Sequence, residues 1–186
     1  MDRNRKTRGF SIIELVVVGG ILLLLAAIAT PTITRSFKTY RLGSSATEVA
    51  NILQRTRFEA IKRNTSVTWR GAQISGLWNL WIDTNNNGNL DATEPVIILP
   101  RDMQFLTGSQ VPSPSSMGYG TTREIAGVVI FDGRGAVSFG GAAPAVLVIY
   151  LGVPRQPTFG FRAITLLPNG RTKVWKSVQG GTWSDR

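Results

Sequence analysis

The sequence predicts an α+β chain in which one long N-terminal α-helix, its first half spanning a membrane, packs on a small antiparallel β-rich head. Three observations carry this. Residues Phe10 to Ala29 form an apolar run in which Glu14 is the only ionisable side chain. Between Ile33 and Ile61 apolar residues recur at spacings of three and four, the period of an amphipathic helix. Beyond Asn64 short β-type runs alternate with Gly, Asn and Pro.

Residues 1–9, MDRNRKTRG, hold four positive charges and one negative and read as a leader. Residues 10–29 follow as the membrane segment: at about 1.5 Å per helical residue they reach about 30 Å, the thickness of a bilayer's hydrocarbon core. The basic cluster stays cytoplasmic by the positive-inside rule, which leaves the C-terminal bulk on the other side. A secretory signal would share the basic start and apolar stretch, with Ala27-Ile28-Ala29 as its cleavage site. Glu14 argues against that reading. A carboxylate within a membrane is unfavourable by roughly 3 kcal/mol and calls for a partner. Cleavage between Gly9 and Phe10 would create one, the new α-amino group of Phe10.

Residues 30–63 read as the amphipathic continuation of the helix. Ala46, Val49, Ala50, Leu53, Ala60 and Ile61 form one stripe, with Arg55, Lys62 and Arg63 on other faces. Pro31 removes a backbone donor and is expected to loosen the helix. Gly43 followed by Ser45-Ala46-Thr47-Glu48 gives a capping-box pattern that would suit a second helix.

Residues 64–186 form the head. Strands are expected over Ser66–Arg70, Leu77–Ile82, Pro95–Leu99, Gly127–Phe131, Gly135–Phe139, Ala145–Leu151, Phe161–Leu167 and Arg171–Lys176. Asp132-Gly133 and Asn169-Gly170 predict tight hairpins. Gly108 to Thr122, rich in Ser, Pro and Gly, predicts a mobile loop.

Composition excludes whole classes of chemistry. The chain has 186 residues and a formal charge of +10, which favours anionic partners. It contains no Cys and no His, so thiol nucleophiles, His-based triads and Cys/His zinc sites are absent. No carboxylate pair or Ser-Lys spacing singles out a catalytic site, and a non-enzymatic protein is expected.

The basic leader, Gly9 before Phe10 and Ser11, Glu14 as the fifth residue after the cut, and the unbroken apolar helix together resemble the class III signal of type IV pilins and type II secretion pseudopilins. The resemblance implies a type IV pilin-like fold and a single pass through the inner membrane with the head in the periplasm. It implies that a prepilin peptidase cuts after Gly9 and N-methylates Phe10, and that Glu14 pairs with the N-terminal amine of a neighbouring subunit during filament assembly. It also favours one continuous helix over two. The segment WNLWIDTNNNGNLDATEPVIIL and the pair Gly170-Arg171 narrow the resemblance to the GspH/FimT group of minor pilins and pseudopilins. The implied partners are other pilins or pseudopilins, contacted through the N-terminal helix. The implied function is a structural or priming subunit of a type IV pilus or a type II secretion pseudopilus, the two systems remaining open.

Two further patterns bear on ligands. Asp83, Asn85, Asn87, Gly88, Asp91 and Glu94 follow the ligand spacing of an EF-hand calcium loop. An EF-hand needs flanking helices, whereas the flanks here read as strands. A long turn whose Asp and Asn side chains bond their own backbone is therefore favoured, and no cofactor is expected. In an extended Arg171–Lys176, alternation places Arg171, Lys173 and Trp175 on one face and Lys176 on the other. FimT-like proteins resemble this with a Gly-Arg-x-Arg element for DNA binding, here ending in Lys173. DNA uptake through Arg171, Lys173 and Lys176 is thus the alternative function. The competing structural role is that of charged gatekeepers on a solvent-facing or edge strand.

Overall fold

The computed structural model describes residues 11–125 and 127–185, and the chain divides into two compact units after Lys38. The expected cleavage site, Gly9 and Phe10, lies outside the described residues.

One helix, α1 (Ile12–Arg63), runs through both Pro31 and Gly43. The capping-box residues lie within it: Ser45 is buried, and the Thr47 hydroxyl donates to the Gly43 carbonyl at 3.1 Å instead of capping a new start. In the first unit the apolar side chains from Ile12 to Ile28 are exposed. Just beyond them, the hydroxyls of Thr30, Thr34 and Ser36 donate to carbonyls one turn back, which satisfies these polar groups within the helix. At its C-terminus Asn64 adopts a left-handed φ of 50°, and the N–H groups of Asn64 and Thr65 donate to Ile61 and Ala60. That pair of bonds is a Schellman stop, and it ends α1 where the texture of the sequence changes.

In the second unit α1 buries Ala46, Val49, Ala50, Leu53 and Ala60, as the spacing predicts, and also Leu42 and Ile52, which lie outside the predicted stripe. Ile61 departs from the expected stripe: one residue beyond Ala60 it points off the core and is 41 % exposed.

Among the described residues eleven strands form two sheets. The first contains β1 (Val67–Ile74), β2 (Leu77–Asp83), β3 (Val96–Ile98), β6 (Val128–Phe131) and β7 (Val137–Ser138), in the antiparallel order β3-β2-β1-β6-β7. The second has the order β11-β10-β9-β8-β4, built from β4 (Gln104–Leu106), β8 (Val146–Gly152), β9 (Phe161–Leu166), β10 (Thr172–Ser177) and β11 (Ser184–Asp185). A short β5 (Thr122–Glu124) adds to β8 in parallel, the one departure from an antiparallel head among the described strands.

The main core lies between α1 and the inner faces of both sheets, where Leu53 and Val49 meet Trp69, Ile82, Phe131, Leu151 and Ile164. A second cluster, Met117, Tyr150, Phe161, Trp175 and Trp183 among it, covers the far face of the second sheet. Burial on both faces explains why β8 reads as an unbroken apolar run instead of alternating.

The segment from Gly108 to Thr122 is not the free loop expected. It folds into short 3-10 turns at Gly108–Gln110 and Pro114–Met117. Trp183 ties it down, donating its indole N–H to the Pro112 carbonyl at 3.0 Å and its backbone N–H to the Ser116 hydroxyl at 2.9 Å.

Candidate functional site

Glu14 stands in the first turn of α1 and is exposed. The helix around it is long and apolar enough, by length and composition, to cross a membrane. A carboxylate here is favourably placed against the positive end of the helix dipole.

At the other end of α1, two polar side chains clamp two turns, one from each sheet. Gln54 donates through Nε2 to the Gly170 carbonyl at 2.8 Å, and Arg57 donates through Nε to the Gly135 carbonyl at 3.0 Å. The turns also bond each other, Val137 N–H donating to the Pro168 carbonyl at 2.9 Å. Both turns close tight hairpins as expected, β6 onto β7 and β9 onto β10, though neither Asp132-Gly133 nor Asn169-Gly170 forms the two central residues of its turn. In the first, the Asp132 carboxylate accepts from the N–H groups of Arg134 and Ala136, and the positive φ falls on Gly135 rather than Gly133. In the second, Leu167 and Gly170 donate to the Arg171 and Leu167 carbonyls, with Gly170 at φ 81°. Gly170 of the Gly-Arg pair is therefore structural, because its carbonyl takes the Gln54 bond and its missing side chain lets Gly135 approach.

The Asp83–Glu94 loop is organised from within. Asp83, fully buried, accepts from Arg70 Nε at 2.6 Å and from the backbone N–H groups of Asn87 and Gly88. Glu94 accepts from the N–H groups of Thr84 and Asp91, while Asp91 takes the amides of Asn85 and Asn87. Among the described residues no three His, Cys, Asp or Glu are grouped to hold a metal ion. The carboxylates face donors, and their chemistry is to close β2 onto β3. Sequence reasoning missed Arg70, which lies on β1 and not within the motif; its one signal was its place in a strand beside the acidic one.

On β10 the predicted alternation holds, but the chemistry differs. Trp175 is 7 % exposed and gives its indole N–H to the Thr165 hydroxyl at 3.0 Å, so it offers no face for stacking a base. Lys173 lies 4.3 Å from the Trp175 ring centroid and pairs with Asp185 of β11 at 2.7 Å. Arg171 and Lys176 are exposed. In the same cluster, burial and then the nearby Glu124 carboxylate push the Tyr150 phenol above its ordinary value of 10.0.

The sequence model of the family described as type II transport protein GspH matches residues 45–184. The chain belongs to this family. The matched span starts within the buried part of α1 and ends in β11, so it takes in the clamp, the Asp83 loop and the tied-down segment. Among solved structures the chain is similar to the type IV minor pilin FimU of Pseudomonas aeruginosa in two crystal forms, at 16 % identity with TM-scores of 0.47 and 0.49. It covers 98 % and 93 % of those chains with 77 % of its own. It is likewise similar to the minor pseudopilin EpsH of the Vibrio cholerae type 2 secretion system, at 16 % identity and TM-score 0.44, covering 98 % of that chain with 75 % of its own. No curated protein matches the chain.

Proposed function

We propose that this GspH-family chain is a minor pilin or pseudopilin, a non-enzymatic structural or priming subunit of a type II secretion pseudopilus or a type IV pilus. The observation that carries the reading is that the span matched by the family, residues 45–184, continues a single helix that begins as an apolar segment with one acid, Glu14. The leader is removed after Gly9 and Phe10 becomes the methylated N-terminus. The apolar segment anchors the chain in the inner membrane, with the head in the periplasm. Glu14 then pairs with the N-terminal amine of a neighbouring pilin, which offsets the roughly 3 kcal/mol an acid costs in the membrane. No cofactor takes part.

The test is N-terminal mass analysis of the membrane-extracted protein, with secretion and piliation scored for Glu14→Ala. A chain starting at methylated Phe10, and a variant that is made and folded but absent from filaments, is the expected result. A mature chain starting at Thr30 would end the reading.

A further inference from the structure

The first sheet ends on β3, which has β2 on one side only. Leu80 lies opposite Ile97, while Ile82 N–H donates to the Pro95 carbonyl at 3.1 Å and Leu99 N–H to the Trp78 carbonyl at 2.9 Å. Antiparallel bonding alternates along a strand, so Val96 and Ile98 turn their N–H and C=O groups away from β2. The opposite edge of the sheet is covered, since Val137 of β7 donates to the Pro168 carbonyl. Edge strands are ordinarily guarded by charges, but β3 has none, and its Val96 and Ile98 side chains are 42 % and 55 % exposed. Its guard is shortness: Pro95 and Pro100 confine the open edge to the residues between them.

Beside this edge lies a groove of about 200 Å³, lined by Asn51, Ile52 and Arg55 of α1 and by Pro95, Val96 and Ile97. None of these residues is acidic. Arg55 is exposed, and its guanidinium has no ion pair among the described residues; Glu59, one turn on, is held by Arg63 at 3.2 Å. A ligand that suits the place supplies backbone to the edge and negative charge to the groove.

We infer that β3 takes up a short extended segment of another protein as an added strand, one with an acidic side chain between two apolar ones. In such a strand the residues opposite Val96 and Ile98 share their outer face, and the residue between them, opposite Ile97, turns to the α1 side where Arg55 stands. A second copy fits poorly. Its own β3 would put Ile97 instead of a carboxylate in the central position, and both chains carry a formal charge of +10.

The test titrates the full chain in detergent into a labelled, capped peptide with valine, glutamate, valine at its centre and threonine on either side, followed by fluorescence anisotropy. Saturable binding below about 1 mM is expected. Methylating the two valine amides, which face β3, should abolish it, while methylating the glutamate amide, which faces away, should leave it intact. Arg55→Gln, an exposed change, should weaken binding about tenfold, as the loss of one charge-assisted bond does, and Arg171→Gln, outside the groove, should not. No binding up to about 1 mM, equal effects of the two methylations, or affinity untouched by Arg55→Gln overturns the site. A dimer in sedimentation that the peptide dissociates would give the edge to a second copy and overturn it as well.

Discussion

A β-carbon on Gly170 would overlap the carbonyl oxygen of Gly135, so the turn between β9 and β10 touches the turn between β6 and β7 only because residue 170 has no side chain. At φ 81° the same residue also occupies backbone space that other residues enter at a cost. Gly170→Ala is expected to destabilise the head by more than the roughly 1–3 kcal/mol of the strained conformation alone. Gly118 supplies the control, since its φ is 76° and nothing lies within 4 Å of the place its β-carbon would take. Thermal melts of the full chain in detergent should rank Gly170→Ala well below Gly118→Ala. Equal losses would mean that the contact with Gly135 contributes nothing.

Arg70 and Asp83 form the most buried ion pair of the described set. Asp83→Ala strands the guanidinium and leaves the N–H groups of Asn87 and Gly88 without their acceptor. The expected loss is about 3–5 kcal/mol, as for other buried pairs broken on one side. Arg70→Met keeps the two backbone bonds to Asp83 but removes the countercharge, and should cost a similar amount. A loss under about 1 kcal/mol for both variants, the scale of exposed pairs, would show that the loop holds without the pair.

Calcium gives the same loop a second test. With donors already bonded to Asp83, Asp91 and Glu94, millimolar calcium is expected to move the melting temperature by no more than about a degree, because a ligand stabilises only in proportion to its affinity for the folded form. A rise of several degrees that Asp83→Ala abolishes would make the loop a metal site.

Much of this architecture was legible because it depends on local period. The stripe from Ala46 to Ala60, the end of α1 at Asn64 and the runs of β8 and β9 follow from side-chain spacing and from which residues fill a two-sided core. Illegible were relationships set by distant segments. Trp175 reads as an aromatic beside two cations, and only the segment around Met117 and Tyr119 with Trp183 turns it inward. Lys173 reads as a free charge until β11 brings Asp185 across from it. The strands β4, β5 and β11, of two or three residues each, exist because β8 and β10 offer them edges, not because their own sequences demand extension.

That rearrangement sets the expectation for nucleic acid. With Lys173 held by Asp185 and Trp175 buried, replacing both Arg171 and Lys173 by Ala should change the affinity of the full chain for labelled duplex by less than about twofold at low salt. It should also lower stability slightly, since Lys173 covers the Trp175 ring. A tenfold drop, with the salt slope flattened by up to about two units, would instead assign these cations to phosphate contacts.

Tyr150 makes stability depend on alkaline pH with a definite sign. Its phenol is held above 10.0 in the fold, chiefly by burial and secondarily by Glu124, while in the unfolded chain it titrates near about 10. Below that pH the hydroxyl is protonated in both states and its contribution is fully present. As the pH climbs past about 10 the unfolded chain releases the proton and the folded chain keeps it, so stability is lost progressively up to the folded pKa. Tyr150→Phe removes the proton and with it that slope. Melting temperatures taken at pH 8 and at about pH 10.5 should therefore fall further for the natural chain than for Tyr150→Phe, with the other titrating groups common to both. Glu124→Gln separates the two causes: with the carboxylate charge gone and burial unchanged, the natural chain's extra loss should shrink but persist. If Tyr150→Phe and the natural chain lose stability in parallel, Tyr150 is not held protonated by the fold.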